Sequence, residues 1–150
     1  MARIIAYQQA TPATDDLLLG TQKTTSGTNK TNPTKNFTVD SVVQAGLGYT
    51  VYTALLNQTG TDAPVATILK NNTGYTYTWA RTGVGEYTIT ASGNAFTSNK
   101  TFVMMNCGNT GFNQRMPSWE VLSNTAILIG QPPLGDGAFV NGAFEIRIYS

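Results

Sequence analysis

Eight carboxylates, one thiol and no imidazole set the chemistry open to this 150-residue chain. The missing histidine removes the commonest general base and the commonest metal ligand at neutral pH. With Cys107 as the sole cysteine, neither a tetrahedral zinc site nor a Cys–His nucleophile can be built. Glycoside hydrolysis needs two carboxyl groups flanking one bond. Asp15 and Asp16 are adjacent, so in an extended strand they point to opposite faces and cannot do this. Glu86, Glu120, Asp136 and Glu145 stand apart in sequence. Glu145 alternates with Arg147 on the outward face of the closing segment, the pattern of a solvated ion pair. Asp136, with nearby glycine carbonyls, is the candidate calcium ligand. Cys107 has no cationic sequence neighbour to activate it and reads as a buried, inert thiol. Gly83 and Gly85 are not followed by Gly-Lys-Thr, so they mark a hairpin turn rather than a phosphate loop. The expectation is a non-enzyme without cofactor or metal.

Binding chemistry is better represented than catalysis. Tyr75, Tyr77 and Trp79 alternate with Thr76, Thr78 and Ala80, which puts three rings on one face. Such a row is either a stacking platform for sugars or half of a sandwich core. Phe112, Met116 and Trp119 fall in a Gly- and Asn-rich stretch, 106–119, that reads as a long loop. Large apolar groups on a loop imply a cover, so these three form the candidate contact surface. That cover is a neighbouring subunit, the domain's own core or an external receptor.

The composition narrows the class. Hydrophobic residues make up 41%, enough for a core, while charged residues are only 11%, well below the roughly 25% of an ordinary soluble domain. Threonine and asparagine fill the polar positions. A net charge of +1 gives little colloidal protection, which suits a protein held in a fixed assembly. Lysines and arginines are scattered, so no basic stripe exists for nucleic acid. There is no run of eighteen apolar residues, hence no expected membrane insertion. The first nine residues lack a secretory apolar core, and a lone cysteine excludes an intrachain disulfide. Folding in the cytosol of the producing cell is expected.

The elements that must position these residues are almost all strands. One short helix is expected over 39–45, with Thr38 or Asp40 near its N-cap, Gly46 as its stop, and Val39, Val42 and Val43 at helical spacing. From Tyr49 onward the pattern is strand, turn, strand. Residues 49–56 are apolar on both faces, as in a central, doubly covered strand. Further strands are expected over 65–69, 75–80, 87–91, 102–105 and 125–129. Phe144, Ile146 and Ile148 alternate in the last one. Seven or eight short strands with frequent turns indicate an all-β chain, an antiparallel β-sandwich or jelly-roll-like domain. A small attachment hairpin and the short helix precede it. The division is 1–46 for an attachment and oligomerisation segment and 47–150 for the sandwich.

The hairpin is the most distinctive stretch. Asp15-Asp16-Leu17-Leu18-Leu19-Gly20 is followed, after a polar loop, by Thr34-Lys35-Asn36-Phe37-Thr38-Val39. This "D-D-L-x-x-G … T-K-x-F-x-V" arrangement resembles the N-terminal unit of bacteriophage fibre and virion structural proteins. A second series is similar to a β domain of structural proteins in phages and prophages of Bacteroidetes. It comprises Tyr49-Thr50-Val51-Tyr52-Thr53-Ala54-Leu55-Leu56, Gly60-Thr61-Asp62-Ala63-Pro64, Trp79-Ala80-Arg81-Thr82-Gly83-Val84-Gly85-Glu86-Tyr87, Asn99-Lys100-Thr101-Phe102-Val103 and the closing Phe144-Glu145-Ile146-Arg147-Ile148-Tyr149. The polar loop 22–32 and the excursion 106–119 depart from that pattern.

The resemblance implies a non-enzymatic virion protein, a capsid-decorating or head- or tail-fibre subunit assembled in the host cytoplasm. Its N-terminal segment would dock through Leu17, Leu18, Leu19, Lys35, Phe37, Val39 and Val42. The partners would be sister copies, as a homotrimer, and other virion proteins of capsid, portal or tail. The polar stretch 21–34 would serve as an extended arm or a linker. The alternative is a receptor- or glycan-binding module on the virion surface, with a host surface glycan as partner and Trp79 or Trp119 as the contact.

Overall fold

The computed structural model describes residues 11–22, 34–108, 117–130, 136–137 and 139–150. The chain divides into two compact units between Gly48 and Tyr49.

In the first unit, strands β1 (Leu17–Thr21) and β2 (Thr34–Thr38) form an antiparallel ribbon, with Leu17 opposite Thr38 and Thr21 opposite Thr34. Helix α1 (Val39–Leu47) follows without a break. Thr38 caps it: its Oγ1 accepts the Ser41 N–H at 3.1 Å, satisfying one of the amides a helix start leaves open. The helix passes Gly46 and ends at Gly48, which takes the left-handed conformation at φ 69° that favours glycine at this position. Asp15 and Asp16 precede the strand rather than lie in it. The Asp16 carboxylate accepts the Ala13 N–H at 2.8 Å, and its carbonyl accepts the Val39 N–H at 2.9 Å.

The second unit is the expected antiparallel sandwich. Its strands are β3 (Tyr49–Asn57), β4 (Val65–Asn71), β5 (Tyr77–Gly83), β6 (Glu86–Ala91), β7 (Thr101–Met105), β8 (Ser118–Ser123), β9 (Ala126–Gly130) and β10 (Gly142–Tyr149). One sheet runs β4-β3-β10-β7 and the other β5-β6-β9-β8. The period-two pattern sends alternate side chains inward. Tyr52, Ala54, Leu56, Val103, Phe144 and Ile146 of the first sheet meet Trp79, Tyr87, Ile89, Ile127 and Ile129 of the second in one buried cluster. Rings join the layers. Trp79 meets Phe144 edge-on with centroids 4.7 Å apart, and Tyr52 meets Tyr77 at 4.4 Å.

Two expectations need correction. Strand β3 is central, but only its inner face is covered by the opposing sheet. On its other face Val51 is buried while Thr53 and Leu55 are half-buried, so the cover there is partial. A run apolar on both faces cannot by itself distinguish double cover from a half-covered outer face. Trp119 is also not in a loop: it lies in β8, opposite Ile129 of β9. The glycines and asparagines upstream of it masked that strand, whose Ser118–Ser123 sequence carries few β-branched residues.

Candidate functional site around Trp119

Strands β7 and β8 are edge strands of the two sheets, and a groove of 770 Å³ opens where they approach. The turn that floors one end is fixed by its own hydrogen bonds. Thr101 Oγ1 accepts the Thr97 N–H at 3.2 Å, Lys100 N–H donates to Thr97 at 3.1 Å and Tyr149 N–H to Lys100 O at 2.8 Å. Asn99 takes a left-handed φ of 65°, a conformation asparagine tolerates better than most residues. Three part-exposed rings line the groove: Phe102 of β7, Trp119 of β8 and Tyr149 of β10. Asn99, Lys100, Glu120 and Arg147 supply its polar rim.

The charges on the rim balance. Arg147 Nε donates to Glu145 Oε1 at 2.6 Å, and Thr53 Oγ1 donates to Glu145 Oε2 at 3.2 Å. The Arg147 guanidinium also lies 5.0 Å from the Tyr49 ring centroid, a cation–π distance. Its pKa is raised, first by the Glu145 hydrogen bond. Trp119 also lines a second, more apolar hollow of 530 Å³ with Leu55, Leu69, Met104, Pro117 and Ala143. Among the described residues of the sandwich, Phe102, Trp119 and Tyr149 are the rings most open to solvent.

The other sequence-selected residues fall elsewhere. Trp79 is in the core and 7% exposed, with Tyr77 and Tyr75 packed against the same cluster. The row Tyr75, Tyr77 and Trp79 is therefore core and not an open platform. The Trp79 indole nitrogen and the Tyr52 hydroxyl are buried without a well-formed hydrogen bond. Burial raises the Tyr52 pKa, and the Trp79 N–H opposes that rise. Phe112 and Met116 lie outside the described residues. Asp136, the candidate calcium ligand, is held by Arg81 through Nε–Oδ1 at 2.6 Å and Nη2–Oδ2 at 2.9 Å. The guanidinium lowers its pKa. Among the described residues, no three acidic or thiol side chains cluster as a metal site would need. Cys107 is buried and its thiol pKa is raised by desolvation.

In the first unit, the residues chosen for docking do not form one face. Direct partners share a face and neighbours alternate, so Leu17 and Leu19 lie on one side of the ribbon. Leu18, Lys35 and Phe37 lie on the other. A run of three leucines in a strand must divide this way. The Phe37 ring covers Gly20, where a Cβ would come within 3.1 Å of it. Val39 is half-buried, Val42 is exposed, and α1 has no buried residue. None of the described residues from 11 to 48 is buried.

Sequence reasoning missed Gln58. Its side chain is buried and accepts the Tyr87 hydroxyl at 2.6 Å and the Gly137 N–H at 3.0 Å. Its own amide donates to Asp62 O at 2.9 Å. A polar residue ending an apolar strand was the only available signal. Phe102 and Tyr149 carry only a strand pattern in sequence, because their nearness to Trp119 is tertiary.

No protein-family model matches the chain, and no curated protein or solved structure matches it either.

Proposed function

We propose that this chain is a non-enzymatic structural subunit of a bacteriophage virion, docked on the particle and on sister copies through its first 46 residues. The reading is carried by one observation. Leu17 and Leu19 are 63% and 77% exposed, and no described residue of that unit is buried. A two-stranded ribbon is marginal alone in water, and a segment of this size without a core usually needs oligomerisation or another staple. Leu18, Val42, Val43 and Leu47 are exposed as well, so both sides of the ribbon and one side of α1 offer apolar surface. That surface suits a subunit packed among others, as in a homotrimer around an axis or against capsid, portal or tail proteins. The likeness of residues 15–20 and 34–39 to phage attachment units supports the same reading. The small net charge fits a protein that spends its life in an assembly.

Sedimentation of the intact protein tests it. The expected result is a stable homo-oligomer that the double substitution Leu17→Asp and Leu19→Asp returns to monomer, with the sandwich still folded by circular dichroism. A monomer persisting to roughly 0.1 mM, where an interface of micromolar Kd would be saturated, would overturn it.

A further inference from the structure

We infer that the groove between β7 and β8 is a saccharide-binding site in which a neutral sugar ring stacks on Trp119. The inference is independent of the assembly reading: it concerns the sandwich alone, and it holds whether or not the first unit docks. Three features converge. The first is a set of rings, Phe102, Trp119 and Tyr149, all part-exposed and all lining one groove. Tyrosine and tryptophan pair an apolar face with a polar edge, which matches a pyranose with its C–H face and hydroxyl rim. The second is a rim of side chains able to bind hydroxyls, Asn99, Glu120 and Lys100, with amide, carboxylate and ammonium chemistry in one place. The third is size: at 770 Å³ the groove lies in the range of ligand clefts, about 300–1,000 Å³.

Charge selects among ligands. Arg147 is neutralised by Glu145 at 2.6 Å, and the remaining lining charges, Lys100 and Glu120, are one of each sign, so no net charge favours phosphate or nucleic acid. An apolar peptide fits poorly, because the exposed Ser98, Asn99, Lys100 and Glu120 line the groove beside the rings and would lose hydration without compensation. The second hollow, with Leu55, Leu69 and Met104 beside Thr53, Asn106 and Glu145, is the more apolar of the two and is not part of the assignment. The site also rests on rigid elements. Trp119 and Tyr149 are held in ladders by Ile129 and Tyr49.

The protein carries its own reporter, since Trp79 is buried and Trp119 is 37% exposed. The intact protein is titrated with gluco-, manno- and N-acetylglucosamine hexasaccharides while tryptophan emission is followed. At least one should give a saturable shift of the Trp119 emission with roughly millimolar or tighter affinity. Trp119→Ala should weaken that binding about tenfold or more, read by calorimetry because the reporter is gone. Tyr149→Ala should weaken it severalfold with Trp119 emission intact, which keeps the test open if the Trp119 variant folds poorly. Three results would overturn the assignment: no saturable signal from any hexasaccharide, binding unchanged by both substitutions, or preference for a sulfated polysaccharide that vanishes with salt.

Discussion

Gln58 gives the sharpest test of how the sandwich is held together. Its amide sits at the end of β3, where the chain leaves the sheet, and ties three separate segments. It reaches Tyr87 of β6 at 2.6 Å, the Gly137 amide at 3.0 Å and the Asp62 carbonyl at 2.9 Å. Its backbone N–H also donates to Phe139 O at 2.9 Å. Gln58→Met keeps the length and apolar volume of the side chain and removes only the amide. The Asp62 bond lies toward the surface, where water replaces it at little cost. The other two are deeper. Losing an acceptor for a buried donor costs about 1–3 kcal/mol, against about 1 kcal/mol for an ordinary bond. Better packing of the thioether offsets less than about 1 kcal/mol. The net expectation is a loss of about 2 kcal/mol, which for a unit of this size lowers Tm by roughly 10–15 °C.

Urea and thermal unfolding followed by tryptophan fluorescence read this directly, because Trp79 and Trp119 both belong to the sandwich. The decisive measurement is a double-mutant cycle with Tyr87→Phe. Where the Tyr87 hydroxyl is already gone, Gln58→Met should cost about 1 kcal/mol less than in the wild type. A loss below about 0.5 kcal/mol, the range of featureless surface changes, would refute the reasoning. So would an identical loss in both backgrounds, since the Gln58–Tyr87 bond would then contribute nothing.

Two further outcomes follow from the same unit. Gly108 holds φ at 76°, and a Cβ there would lie 1.8 Å from Val140 O, so Gly108→Ala should destabilise the sandwich by about 3 kcal/mol or more, measured by urea unfolding. The Arg81 hydrogen bond lowers the pKa of Asp136, so the pair's contribution is present above the unfolded carboxylate value and fades as pH falls through the depressed folded one. The stability gap between wild type and Asp136→Asn should therefore hold from neutral pH to about pH 5 and close below about pH 4, and a gap that widens in acid would contradict the pairing.

The alternation of Tyr87, Ile89 and Ala91, and of Phe144 and Ile146, was legible because each strand has one covered face and a period of two. All five are buried in the observed sheets. The helix was legible from its cap, since Thr38 bonds the Ser41 amide whatever the rest of the chain does. Strand β8 was hidden although it pairs with β9 in a tight hairpin, Ser123 opposite Ala126, because Val121 is its one β-branched residue and a Gly- and Asn-rich stretch precedes it. The Trp119 groove was hidden for a different reason. Phe102, Trp119 and Tyr149 are far apart in sequence and are brought together only by the order in which strands take places in two sheets. Tyr75, Tyr77 and Trp79 illustrate the converse. They were conspicuous as a row, yet a regular apolar row in a sandwich strand is what a core requires, and Trp79 meets both Phe139 and Phe144 there.

The two units solve the problem of apolar surface differently. In the sandwich, the inner strands turn alternate residues toward the opposing sheet and large side chains such as Tyr52, Phe96 and Phe139 are wholly enclosed, whereas β4 and β8 bury none of their residues. Among the described residues of the first unit, the ribbon encloses none of its side chains. With two strands, each face has only a few side chains, and dividing Leu17, Leu18 and Leu19 between the faces leaves too little on either to close a layer. Folding α1 over one face would still expose the other, because a single helix covers one side of a ribbon. On the assembly reading proposed above, two such faces call for two covering surfaces, which a ring or trimer of like subunits supplies by repetition. Oligomerisation is for this reason the first property of the intact chain to measure, ahead of any search for its docking partner.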